Sequence, residues 1–107
     1  MNVINVAKNF TRFPSGRFKR NGSTSGEAFR EDFLEPPLKE GGTLTIELDG
    51  TIGYGSSFLE EAFGGLVRSL KLSASELKAR IKFVSEDPAL LEEIFSYIED
   101  AEKRTDS

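Results

Sequence analysis

The sequence predicts a small α/β domain, about four mostly parallel strands packed with three main helices and one short helix. Two observations carry that expectation. Stretches that alternate apolar and polar residues, the period of a half-buried strand, take turns with stretches whose apolar residues recur at helical spacing. The 107 residues also suffice for one domain but not for two of ordinary size. Residues 1–107 are therefore read as a single unit whose strands share one sheet through right-handed crossovers.

Val3, Ile4 and Val6 make residues 2–7 a first strand. Pro14 and Gly16 mark a turn over 11–16. Arg17, Lys19 and Arg20 follow with Phe18 between them, which suits a second short strand with its basic residues outward, or an edge guarded by its lysine. Thr24 and Glu27 have the spacing of a capping box, and Ala28, Phe29, Phe33 and Leu34 share one face, so a helix is expected over 25–34. Pro36 and Pro37 should end it, because proline lacks the amide donor and clashes with the preceding turn.

The centre of the chain is a strand, a glycine-rich turn and a hydroxyl-bearing helix start. Residues 43–49 alternate in Leu44-Thr-Ile-Glu-Leu-Asp49, and Gly50, Gly53 and Gly55 turn the chain. Ser57 and Glu60 repeat the capping-box spacing, and Leu59, Ala62, Phe63, Leu66, Val67 and Leu70 form the buried face of a helix. Gly64 and Gly65 lie within that apolar run, so a close approach to a neighbouring backbone should offset their helix cost of about 1 kcal/mol each.

Ser73 and Glu76 form a third box, heading a short helix over 73–79. Ile81, Phe83 and Val84 make the next strand. Asp87 and Pro88 then start a last helix whose apolar face runs from Leu90 and Leu91 through Ile94, Phe95 and Ile98 to Ala101. Residues 103–107 are expected to fray.

Composition narrows the chemistry. The chain is 37% hydrophobic and 30% charged, as a soluble globular protein is, and its nine Phe supply the large core pieces in the absence of Trp. A net charge of -4 argues against a dedicated nucleic-acid binder. Without Cys there is no disulfide, thiol nucleophile or cysteine metal site, and without His the usual general base and commonest metal ligand are gone. No cofactor is expected, and Glu47, Asp49, Glu60 and Glu61 lack the spacing of a calcium loop. No apolar run approaches the roughly 20 residues of a membrane span, and no secretory signal is visible, so the cytoplasm is the expected compartment.

In its motifs the chain resembles a bacterial STAS-like family, related to the STAS domains of anti-sigma factor antagonists. The residues that carry this are Pro14 to Arg17, the helix start Ser25-Gly26-Glu27, and the run Gly53-Tyr-Gly-Ser-Ser-Phe-Leu-Glu-Glu-Ala-Phe-Gly-Gly-Leu66. The resemblance implies a partner-binding switch. In those antagonists an ATP-binding regulatory serine kinase phosphorylates a serine at the start of the helix after the central strand, and the unphosphorylated form binds that kinase. Ser57 matches the phosphoacceptor, Ser56 its neighbour and Asp49 the acidic residue at the strand end. Gly55 stands where the regulators carry Asp, and Phe58 where they carry Gly.

The expected reading is a non-catalytic interaction module. Its surface would comprise Asp49, Gly53, Tyr54, Gly55, Ser56, Ser57, Phe58 and Glu61, with Ser25 and Gly26 from the neighbouring loop. Each singled-out residue has a plainer role. Ser57 could serve only as a helix cap, and Glu60 and Glu61 one turn along would repel a phosphate there. Phe58 is either a core residue or, exposed beside Tyr54, an aromatic interface anchor. A different class of function is anion or nucleotide binding by the helix starts near residues 25, 57 and 88, with Arg17, Lys19 and Arg20 adding charge, although neither glycine loop has Walker spacing. A serine nucleophile at Ser56 or Ser57 would need a Lys or carboxylate in place of the missing histidine.

Overall fold

The computed structural model describes residues 2–106. Strands β1 (Asn2–Asn5), β2 (Leu44–Glu47) and β3 (Ile81–Val84) form one parallel sheet in the order β1-β2-β3. Ile4 pairs with Ile46 and Ile46 with Phe83, while Leu44 pairs with Ile81, which puts these apolar side chains on one face. That face is the floor of the core; the opposite face carries exposed Val3, Lys82 and Val84 with half-buried Thr45 and Glu47. The alternation in 44–47 is thus the signature of a sheet covered on one side.

The helices pack over the floor. Helix α1 spans 26–39, α2 spans 56–70, α3 is Ala74–Arg80 and α4 is Pro88–Asp106, with α2 packed between α1 and α4. Phe29, Phe58, Phe63, Leu59 and Leu66 are fully buried among them, and the Phe29 ring lies 5.1 Å from Phe10 and 5.9 Å from Phe58. Gly26 sits where α1 crosses α2. A Cβ there would run into the Phe58 carbonyl oxygen and reach within 3.1 Å of Ala62 N, so no larger residue fits without moving a helix.

Among the described residues the sheet has three strands, not about four. Residues 17–20 do not pair as a strand, because their backbone is spent locally. The Arg17 carbonyl accepts from Glu27 N, Phe18 N donates to Asn21 Oδ1, Lys19 N donates to the Glu27 carboxylate, and Lys19–Asn21 closes a tight turn. The first strand likewise stops at Asn5, where the Asn5 side chain accepts from Lys8 N and a wide turn begins at Val6.

Helix α1 does not stop at the prolines. A single wide turn over Arg30–Leu34, in which Glu35 N donates five residues back to the Arg30 carbonyl, resets the register. Pro36 and Pro37 then occupy the first turn of the segment Glu35–Lys39, where no amide donor is required. The caps also shift. Ser25, not Thr24, caps α1 by accepting from Ala28 N at 3.2 Å. The Ser57/Glu60 box does not form: Gly55 is the N-cap residue of α2, and the Glu60 carboxylate is taken by Arg17 and Arg68. The Ser73/Glu76 box forms as expected, with reciprocal bonds of 3.1 and 3.0 Å. Helix α4 carries on past Lys103 to Asp106, held by Glu102 accepting from Ala74 N and Thr105 Oγ1 donating to Ala101 O; Ser107 lies outside the described residues.

Gly64 and Gly65 lie within α2. At Gly64 a Cβ would stand 3.3 Å from the Tyr97 carbonyl of α4, the expected close backbone approach. Gly65 instead makes room for the Arg30 side chain, whose Cδ would be 3.0 Å from such an atom.

Candidate functional site

The corner between β2 and α2 is shaped by a few local bonds. Asp49, exposed just past β2, accepts from Ser85 Oγ at 3.0 Å and from Glu86 N, which ties the strand end to the turn before α4. Gly50 and Gly53 hold φ of 100° and 135°, in the region that favours glycine, and let the chain reverse within a few residues. Tyr54 is half-buried and its hydroxyl donates to the Leu48 carbonyl at 2.7 Å; burial pushes its pKa up to about 12, so it stays a neutral donor. The loop 12–14 runs alongside, with Ile52 N donating to Arg12 O at 3.0 Å and Gly55 N to Pro14 O at 3.3 Å.

Of the residues assigned from sequence to the surface, Asp49, Gly53, Gly55, Ser56 and Ser57 are exposed together at this corner, with Tyr54 at its edge. Phe58, Glu61, Ser25 and Gly26 lie beneath it. Phe58 has no exposed surface, so it belongs to the core and is not an aromatic anchor for a partner. Ser25 and Gly26 are closed into the α1–α2 crossing, and Glu61 is 8% exposed against Arg30. Sequence reasoning missed Phe13 and Ile52, which are 57% and 71% exposed. Each is a large apolar residue in a turn, beside Pro14 and between Gly50 and Gly53, where no strand or helix period gives it a core to enter. That mismatch was the available signal.

The family model for the STAS-like domain of unknown function matches residues 25–90, which takes in α1, β2, α2, α3, β3 and the start of α4. The chain belongs to that family. No curated protein and no solved structure matches it.

In this STAS-like domain the parallel strand order brings the starts of α1, α2 and α4 to the carboxyl edge of the sheet. Two of these starts are closed. At α1, Gly26 N and Glu27 N donate to the Gly16 and Arg17 carbonyls and Ser25 caps Ala28; at α4, Asp87 Oδ1 accepts from Ala89 N and Leu90 N. The α2 start has no side-chain cap, so no side chain at Gly55 takes up its first amides beside exposed Ser56 and Ser57. Of the basic residues read from sequence as adding charge here, Arg17 pairs with Glu60 at 2.5 Å, Lys19 with Glu31 at 2.6 Å, and Arg20 lies over the Phe18 ring, while Arg12 on the adjoining loop is exposed.

Beneath the corner lies a buried polar network. Helix α2 has its own wide turn, Glu60–Gly64, in which Gly65 N donates to the Glu60 carbonyl and so passes over that of Glu61. Arg30 Nη1 donates to that carbonyl at 2.8 Å and to the Glu61 carboxylate at 2.5 Å, while Arg30 Nε donates to Glu35 at 2.8 Å. Ser69 Oγ completes the set on Glu35 at 2.8 Å. One guanidinium therefore satisfies both the misfit backbone and the charges around it, and Gly65 leaves the space for it.

These pairs set a pH dependence. Burial works against ionisation of Glu35, but hydrogen bonds from Ser69 and Arg30 outweigh it and hold its pKa below the ordinary 4.5. Glu60 is likewise lowered, burial being outweighed by Arg68 and Arg17. A carboxylate with a depressed folded-state pKa stabilises the fold above its unfolded pKa and ceases to do so as pH falls through the folded value. Stability measured by urea unfolding should therefore be flat from neutral pH to about 5 and fall steadily below 4.5, the ordinary value of both groups.

Among the described residues no cluster of acidic groups has the arrangement of a metal site, and no helix is long and apolar enough to cross a membrane.

Proposed function

We propose that this STAS-like domain is a protein-interaction module of bacterial signalling, without catalysis of its own, switched by phosphorylation of Ser57 with Ser56 beside it. The observation that carries this reading is the combination of exposed serines at the uncapped start of α2 with exposed Phe13 and Ile52 on the adjoining loops. Large exposed apolar residues flanked by polar ones are what a protein partner buries. Support for the switch comes from electrostatics. A helix start without a side-chain cap favours an added phosphate, and the carboxylates that would repel it, Glu60 and Glu61, are paired with Arg17, Arg68 and Arg30. The partner class that the family resemblance suggests is a cytoplasmic regulator, in the first instance an ATP-binding serine kinase.

The test is retention of a native-host protein on immobilised domain. The unmodified domain should retain a defined partner, and Ser57→Asp or Ile52→Ser should lose it while each changes stability by less than about 0.5 kcal/mol. Retention indifferent to both substitutions, with no phosphate on Ser56 or Ser57 by phosphopeptide mass spectrometry of the host protein, would remove the reading.

A further inference from the structure

The chemistry of the partner segment can be taken one step further, on the reading that this corner is a docking surface. Beside Ile52 a cleft of about 350 Å³ opens between the end of β2, the 50–54 loop and the start of α4. Ile52 and Leu90 contribute apolar surface to it, and Asp49, Asp87 and Glu93 bring carboxylates. Neutral donors serve these carboxylates: Ser85 and Glu86 N on Asp49, the first amides of α4 on Asp87, and the Tyr97 hydroxyl on Glu93 at 2.9 Å. Such bonds leave the negative charges in place. No Lys or Arg lines the cleft, and none is ion-paired to these three among the described residues, whereas Glu35, Glu60 and Glu61 on the neighbouring helices each hold an arginine.

We propose that the Phe13–Ile52 patch and this cleft together dock an extended segment of the partner that carries an Arg or Lys next to a large apolar side chain. The apolar residue covers Phe13 and Ile52, which the fold leaves uncovered. The cationic residue enters the cleft, where partial exclusion of water strengthens its attraction to Asp49 and Glu93. An acidic or purely apolar segment has no such fit, since it would face unpaired carboxylates or leave them desolvated.

A fluorescently labelled short peptide with two arginines and two leucines in a Gly-Ser background is the probe. Titrated with the whole domain, it should bind, and binding should weaken about tenfold in Asp49→Asn/Glu93→Gln and again in Ile52→Ser. Versions with glutamate for arginine, or serine for leucine, should be at least about tenfold weaker. Undetectable binding of the parent peptide, or equal affinity across peptides or variants, overturns the inference. A photo-crosslinker replacing Ile52, used in host extract, separates this from the broader reading. A crosslinked partner segment with no Arg or Lys near the attachment point overturns the basic-segment proposal and leaves the interaction module standing. Absence of any crosslink counts against both.

Discussion

Phe58→Ala will destabilise the domain by about 3–5 kcal/mol, which at the usual stability of a small domain leaves much of it unfolded. The ring has no exposed surface and lies 5.9 Å from Phe29, 6.3 Å from Phe10 and 6.0 Å from Tyr54, centroid to centroid. Removing it empties the space under the α2 start. The backbone cannot collapse into the gap easily, because the Phe58 carbonyl is already against Gly26 across the helix crossing. Urea unfolding followed by circular dichroism checks the magnitude. A loss under about 1 kcal/mol would return Phe58 to the surface role that its sequence position also allows.

Arg30→Ala should cost a similar amount, about 3–5 kcal/mol at neutral pH, for a different reason. It removes the shortest ion pairs of the Glu35 and Glu61 carboxylates, whose side chains are 10% and 11% exposed, and the donor to the bypassed Glu61 carbonyl. Ser69 and Lys39 at Glu35, and Arg17 and Arg68 at 3.5 Å from Glu61, only partly replace it. Burial lowers the Arg30 pKa while its bonds to Glu61 and Glu35 raise it, with a net rise, so the residue is a permanent cation there. The penalty should shrink on acidification, because a protonated Glu35 no longer needs a counter-charge. Replacing Arg30, Glu35 and Glu61 together with apolar residues of similar volume should recover most of the loss. If Arg30→Ala is instead as stable as the parent at neutral pH, the network is not what holds α1 to α2.

Much of this was legible in the sequence, and the parts that were not share a cause. Strand 44–47, the Ser73/Glu76 cap and the start of α4 are set by neighbours within a few residues, so local patterns reveal them. The glycines at 64 and 65 also announced close packing, though only the fold says that one of them faces an arginine. The wide turn of α2 was not legible, because it is stabilised from another helix: Arg30 of α1 donates to the bypassed Glu61 carbonyl. The same holds for Glu60. Its spacing from Ser57 suggests a cap, yet Arg17, far away in sequence, competes for the carboxylate and wins. At the site, the sequence left Phe58 open between core and interface, and only its packing against Phe29 decides for the core. Phe13 and Ile52 stood out only as apolar residues with no period to join.

Amide hydrogen exchange of the domain alone and with its retained host partner tests the docking corner most directly. Added protection should fall on residues 12–14 and 50–57, with the open face of the sheet around Val3, Thr45 and Val84 unchanged. Protection confined to that sheet face, with 50–57 exchanging as in the free domain, would contradict the assignment of the serine-bearing corner as the contact surface.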